Sequence, residues 1–162
     1  MIHIDQMLAD YAAVYAGKLV VSGAGINVLA ARSTSEGYAV SFGVGLLIKI
    51  PLKAANCDHR VVISVADADG TKVTLAEKQT GSNIRPEDKG SIIADFNIKP
   101  APDMKDEDEF ILPLAFQFNG QHVPREGLYT IRAEVDEIEL SYTRFQVLAQ
   151  QADSPPKLAL AD

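Results

Sequence analysis

Cysteine occurs once in this 162-residue chain, at Cys57. A lone thiol excludes an intramolecular disulfide framework and lends no support to an oxidising compartment. Long apolar runs are also missing: nothing reaches the roughly 18 residues that a membrane-crossing helix needs. The first residues, MIHIDQMLADY, place Asp5 where a secretory leader carries basic residues, and no apolar core of about 7–15 residues follows. The simplest expectation is a cytoplasmic setting. Positive charge is in deficit, with 15 Lys and Arg against 22 Asp and Glu and a net charge of −7. A field of that sign repels nucleic acid and anionic membrane surfaces, so neither is expected as a partner.

Catalytic signatures are missing as well. There is no G-x-S-x-G elbow, no P-loop lysine and no kinase or deaminase motif. Gly23-x-Gly25 follows the apolar run Leu19–Val21 and looks like the start of a dinucleotide fingerprint, but Val28 stands where a third small residue is needed. Residues 26–35 are also too few for a crossover helix. His3, His59 and His122 fall on separate segments without metal-ligand spacing. Cys57 and His59 are separated by Asp58, whose charge opposes thiolate formation. The expectation is a protein that is not an enzyme and uses no cofactor. An unrecognised hydrolase remains a third reading, because the separation of paired carboxylates belongs to the fold.

What the chain has in quantity is strand patterning. With 47% apolar and 23% charged residues it has an ordinary globular composition. Its length suits a single domain, expected over residues 1–148, with 149–162, including Ser154-Pro155-Pro156, as a flexible tail. Tyr38, Val40, Phe42, Val44, Leu46, Ile48 and Ile50 share one parity, a long dry face, while Gly43 and Gly45 on the other parity signal a bend, a bulge or a close backbone approach. Val61, Ile63 and Val65 face Val73 and Leu75 across Asp67-Ala68-Asp69-Gly70, a hairpin in which Gly70 accepts positive φ. Ile92 to Ile98 forms a further strand. Phe110, Leu112, Leu114, Phe116 and Phe118 form another stripe, with Asn119-Gly120 as turn chemistry.

The closing stretch Val123–Leu148 is a hairpin. Tyr129, Ile131, Ala133 and Val135 form its dry face, and Gly127-Leu128-Tyr129 has the form of a tyrosine corner. On its second strand Ile138, Leu140 and Tyr142 have even parity and Phe145 and Val147 odd parity, which predicts a bulge between Ser141 and Arg144. Near the start, residues 2–9 read as an edge strand. Met7, Leu8, Tyr11, Val14 and Tyr15 also fall at helical spacing, so a short turn or helical piece is expected after it. About eight or nine strands with short connections point to an all-β fold: an antiparallel two-sheet β-sandwich, immunoglobulin-like or C2-like, with a closed barrel as the rival.

The order of Leu8-Ala9-Asp10-Tyr11-Ala12, the turn Gly17-Lys18-Leu19, the segment Gly23–Gly25 and the closing Gly127–Val147 strands resembles a family of small bacterial β-sandwich proteins of unknown function. The resemblance implies a fold and no reaction.

Two acidic segments set the alternative to a protein-interaction role. Asp67 and Asp69 at a hairpin tip, with Asp106 and Asp108 in the run 103–109, offer hard oxygen ligands for Ca²⁺ or a small ligand. Asp-x-Asp-Gly also satisfies a turn by itself, and an acidic loop is commonly a solvated segment. The leading expectation is a non-catalytic module that presents end loops or an edge strand to a protein partner, with self-association through an edge such as Ile2–Leu8 as a sub-case.

Overall fold

Strand β5 (Gly37–Pro51) is the longest apolar alternation in the chain, and the structure, a computed structural model describing residues 1–75, 85–100, 103–105 and 108–150, is built around it. The preceding strands are β1 (His3–Ala9), β2 (Tyr11–Tyr15), β3 (Lys18–Ser22) and β4 (Val28–Thr34). After it come β6 (Asp58–Asp67), β7 (Lys72–Val73), β8 (Ile92–Asn97), β9 (Glu109–Val123), β10 (Gly127–Val135) and β11 (Ile138–Ala149). Single 3-10 turns occupy Leu52–Ala54 and Pro86–Asp88. Among the described residues no helix is long and apolar enough to cross a membrane. Of the expected tail, Ala149 ends β11 and Gln150 N–H donates to Ala31 O at 2.7 Å, while 151–162 lie outside the described residues.

The even residues of β5 face inward. Val40, Phe42, Val44, Leu46, Ile48 and Ile50 are each at most 1% exposed. At about 1.5–3 kcal/mol per buried side chain, that face supplies on the order of 10 kcal/mol of apolar burial before chain entropy is subtracted. Opposite it stand Val61, Ile63 and Val65 of β6, Ile131, Ala133 and Val135 of β10, and Phe145 and Val147 of β11, all buried in the same core. Aromatic rings link the two halves: Phe42 lies 4.8 Å from Phe118 of β9 and 5.8 Å from Phe145, which lies 5.7 Å from Tyr129 of β10. Centroid separations of this size suit aromatic pairs.

The fold is all-β, but the expected antiparallel two-sheet sandwich needs correction. Residues 28–31 of β4 pair in parallel with β11, and residues 32–34 pair antiparallel with β5. A strand that changes partner midway joins what would be two layers into one mixed nine-stranded sheet, curled into a half-barrel. A separate two-stranded sheet, β2 and β3, lies against its outside. Eleven strands appear among the described residues, more than the eight or nine expected, because β2 and β4 were not legible as strands.

Local corrections have local causes. The piece after β1 is strand β2, not a helix, because Ala16 and Gly17 at φ 48° and 72° close a two-residue turn that pairs Tyr15 with Lys18. Asn119-Gly120 makes a bulge inside β9 rather than a turn. Gly120, at φ 66°, donates its N–H to Ser41 Oγ at 3.0 Å where the β5–β9 register shifts. The irregularity predicted between Ser141 and Arg144 falls at Leu140 instead: pairing is regular from Ala133–Ser141 onward and shifts between Ala133 and Glu134. Tyr142 is exposed and stacks under Arg144, so the change of phase is complete before it.

The odd face of β5 is where the two sheets meet. A Cβ on Gly43 would lie 2.5 Å from Ala12 N and 2.8 Å from Tyr11 C, so only glycine lets the β2–β3 hairpin sit down on the sheet. Above Gly45, Val21 and Leu19 fill the space. Gln117 on β9 fastens the hairpin: its Oε1 accepts from Ala12 N at 3.1 Å and its Nε2 donates to Asp10 O at 3.3 Å. Gly43→Ala is expected to lift the hairpin and destabilise the protein by about 1–3 kcal/mol, the usual cost of overpacking, read as a lowered urea midpoint. Amides of residues 11–22 should lose exchange protection ahead of those in β10.

Candidate functional site

The hairpin that rests on Gly43 and Gly45 also carries the most conspicuous apolar surface. Alternation turns Ala12, Leu19 and Val21 toward the sheet, with Val14 on the same side but 44% exposed, and leaves Tyr11, Tyr15 and Val20 outward, at 50%, 77% and 45% exposure. Its two-residue turn makes Tyr15–Lys18, Ala13–Val20 and Tyr11–Ser22 the hydrogen-bonded pairs, so the N–H and C=O groups of Leu19 and Val21 point away from β2. Among the described strands β3 pairs with β2 alone.

Beside β3 the outer face of the large sheet continues uncovered. Leu47 and its cross-strand partner Pro113 form the floor of a groove of about 350 Å³. The hairpin lines it with Lys18, Leu19 and Val21, and the sheet adds Met7 of β1 and Ile111 of β9, the strands on either side of β5. Ile111 is 60% exposed. The hairpin is thus an outer layer two strands wide on a sheet face broad enough for more. Edge strands are commonly blunted by proline or charge. On β9 Pro113 serves that purpose, whereas β3 carries a charge only at its first residue, Lys18.

The acidic residues singled out from the sequence lie elsewhere. Asp67 ends β6, and its Oδ1 accepts the N–H groups of Asp69 and Thr71 at 3.0 and 2.9 Å. Its Oδ2 accepts from Arg125 Nη2 at 2.7 Å, and Arg125 also binds Asp69. Tyr129 Oη donates to the Arg125 carbonyl at 2.7 Å, the tyrosine corner expected from Gly127-Leu128-Tyr129. Arg125 follows the C-terminal end of β9, whereas Asp108 precedes its N-terminal end and caps Lys105 N at 2.8 Å. The full length of a 15-residue strand, roughly 45 Å of extended chain, lies between the two groups. Asp106 lies outside the described residues. The structure therefore brings Asp67 and Asp69 together around a guanidinium and does not bring Asp108 to them.

The remaining sequence candidates are likewise dispersed. Gly23 and Gly25, both at positive φ, form the turn between β3 and β4, and Gly25 N–H donates to Leu8 O at 3.0 Å. His3 and His122 are exposed on different strands, and Cys57 is exposed. His59 has both ring nitrogens engaged, one with Asp136 and one with the Ala54 carbonyl, so neither is presented to Cys57. Among the described residues no three His, Cys, Asp or Glu side chains are grouped to hold a metal ion. The groove was not foreseen, because its residues come from four strands. The one signal in the sequence is the alternation of Tyr11, Ala13 and Tyr15 before Gly17.

Burial pushes the Asp67 carboxyl up, but the Thr71 N–H, the Arg125 guanidinium and the Asp69 N–H outweigh it and hold it below the usual range. A carboxylate lowered in the folded state stabilises the protein above its ordinary pKa, about 3.9, and loses that effect as pH falls through the lower folded value. Removing Arg125 lifts the folded value, so Arg125→Ala should move the acid-unfolding midpoint, followed by circular dichroism, to higher pH. Arg132→Ala, which breaks only the exposed pair with Glu139, should move it less.

No curated protein matches the chain. A family model does, over residues 5–148, from within β1 to near the end of β11, and its description is a family of unknown function. Over that span, which takes in the hairpin, the groove and the Asp67–Arg125 cluster, the chain belongs to the family of unknown function DUF6941.

Proposed function

We propose that the protein is a non-catalytic interaction module that takes up an extended segment of a partner protein along the free edge of β3. The observation that carries this reading is the unpaired backbone of Leu19 and Val21 beside a groove floored by Leu47 and Pro113. An unpaired strand edge recognises another extended chain through its main chain, and pockets beside it select alternate side chains. The added strand would be the third of the outer layer, covering Leu47 and Met7 as the hairpin covers Gly43 and Gly45. The preferred segment has apolar residues at every second position, and Tyr11, Tyr15 and Val20 supply a further apolar margin of the kind interfaces favour. The two halves of the curled sheet then act as the layers of a sandwich, with recognition on an appended hairpin. A cytoplasmic setting, consistent with a single exposed thiol, belongs to the same reading.

Selection from a displayed library of linear peptides tests the proposal. The expected outcome is enrichment of peptides with alternating apolar residues, whose binding falls at least tenfold in Val21→Pro, which removes the outward N–H, and in Leu47→Arg, which fills the groove. Lys72→Ala, far from the hairpin, should leave it unchanged. Failure to enrich, or binding indifferent to Val21→Pro and Leu47→Arg, overturns the reading. So does a dimer seen by light scattering that Val21→Pro abolishes, because the occupant is then a second copy of the chain.

A further inference from the structure

We propose that His59 is a proton-dependent latch: as an imidazolium it ties the 3-10 turn after β5 to the β10–β11 turn, and loss of its proton releases the tie. His59 lies near the start of β6 and is 7% exposed. Its Nδ1 is 2.7 Å from Asp136 Oδ2, and its Nε2 is 2.6 Å from the Ala54 carbonyl oxygen. Both partners are acceptors in their ordinary forms. A neutral imidazole has one N–H, so only the doubly protonated ring makes both bonds.

Each end of the latch holds a reversal of the chain. Asp136 and Glu137, at φ 51° and 69°, form a two-residue turn without glycine. Asp136 is fixed to β6 by three contacts: its Oδ2 with His59, its Oδ1 accepting from Arg60 N at 3.0 Å, and its N–H donating to Arg60 O at 3.0 Å. At the other end, Ala54 closes the turn Leu52–Ala54. That segment also reaches toward β9, where Leu52 N–H donates to Asp108 O at 3.2 Å, and toward β8, where Asn56 N–H donates to Ile98 O at 2.9 Å. One imidazole thus ties together the connections around four strands.

Among the charged groups near the ring, the carboxylates favour its proton. On its own strand Asp58 binds Asn97 Nδ2 at 2.8 Å, and Arg60 pairs with Asp95 of β8 at 2.7 Å. From β8 the Phe96 ring packs 5.3 Å from the imidazole. On the β10–β11 turn stand Asp136 and Glu137, the latter paired with Arg85 at 3.1 Å, and the 3-10 turn carries Lys53. Burial alone would push the ring toward neutrality. The hydrogen bonds to Asp136 and Ala54 and the charges of Asp136 and Asp58 outweigh it, so the net shift is upward from the ordinary value.

A raised histidine stabilises the fold fully below its ordinary pKa, about 6.5, and ceases to do so as pH rises through the higher folded value. When the proton leaves, the remaining N–H stays with the stronger, charged acceptor, Asp136. Nε2 and the Ala54 oxygen are then two lone pairs at 2.6 Å, and the Leu52–Ala54 turn is the part that yields.

Titration of the ring nitrogens by NMR in the full chain tests this. The expected result is a His59 ring protonated on both nitrogens at neutral pH, with a midpoint above that of a free histidine. Through that transition, amide exchange of Ala55–Cys57 should accelerate relative to β10, and the melting temperature should fall by about 3–5 °C. His59→Gln, with one donor and one acceptor in its amide, should abolish that pH dependence. Asp136→Asn should lower the His59 midpoint even where the melting curve changes little. A single neutral tautomer at neutral pH, a midpoint below that of free histidine, or an unchanged pH slope in His59→Gln overturns the proposal.

Discussion

Strand β5 must satisfy two incompatible neighbours, and most of the architecture is what that requires. On its inner face six large apolar side chains, from Val40 to Ile50, need a partner layer, and the curled half made of β6, β10 and β11 provides one. On its outer face Gly43 and Gly45 offer no side chain at all, and the β2–β3 hairpin lies in the space they leave. Close packing admits no intermediate: a methyl group at Gly43 meets backbone. The hairpin's position, the groove beside it and the exposure of Tyr11, Tyr15 and Val20 all follow from those two absent side chains.

The acidic surplus has a structural part as well as a solvated one. Asp67, Asp108 and Asp136 each accept backbone N–H groups at a chain reversal, and Asp88 holds the Arg85 guanidinium. A carboxylate used this way substitutes for the ladder bonds that a turn cannot make. Asp67 is bound by Arg125, 58 positions away, and Asp136 by His59, 77 positions away. Turn propensity reveals that an Asp-x-Asp-Gly segment bends; nothing local reveals that a guanidinium awaits its carboxylates. Of the carboxylates that invited a metal reading, Asp67 and Asp69 bind Arg125 and Asp108 accepts the Lys105 N–H.

Legibility followed the range of the interaction. The inner faces of β5, β6 and β10, the 67–70 turn with Gly70 at positive φ and the tyrosine corner at Tyr129 were readable, because each rests on residues a few positions apart. The change of phase in β11 was readable, but its place was not. Parity counts the extra residue without locating it, and the tight Asp136–Glu137 turn puts it at Leu140. Tyr11–Tyr15 fits a helical spacing as well as an alternation, and the Ala16-Gly17 turn back onto β3 makes it a strand, which Gln117, about a hundred positions later, holds through Ala12 N. Strand β4 has seven residues, five of them exposed, and it changes partner midway, so its parallel pairing with β11 left no clear periodic trace.

By itself the sequence determined an all-β chain, the faces of its long strands and the turns that need positive φ, because alternation and backbone sterics act between near neighbours. Tertiary structure alone decided that the strands curl into one mixed sheet, that the hairpin lies over Gly43 and Gly45, that Asp67 meets Arg125, and that His59 meets both Asp136 and Ala54. Those arrangements depend on which distant surfaces pack together, and packing is settled by shape and burial summed over the whole chain.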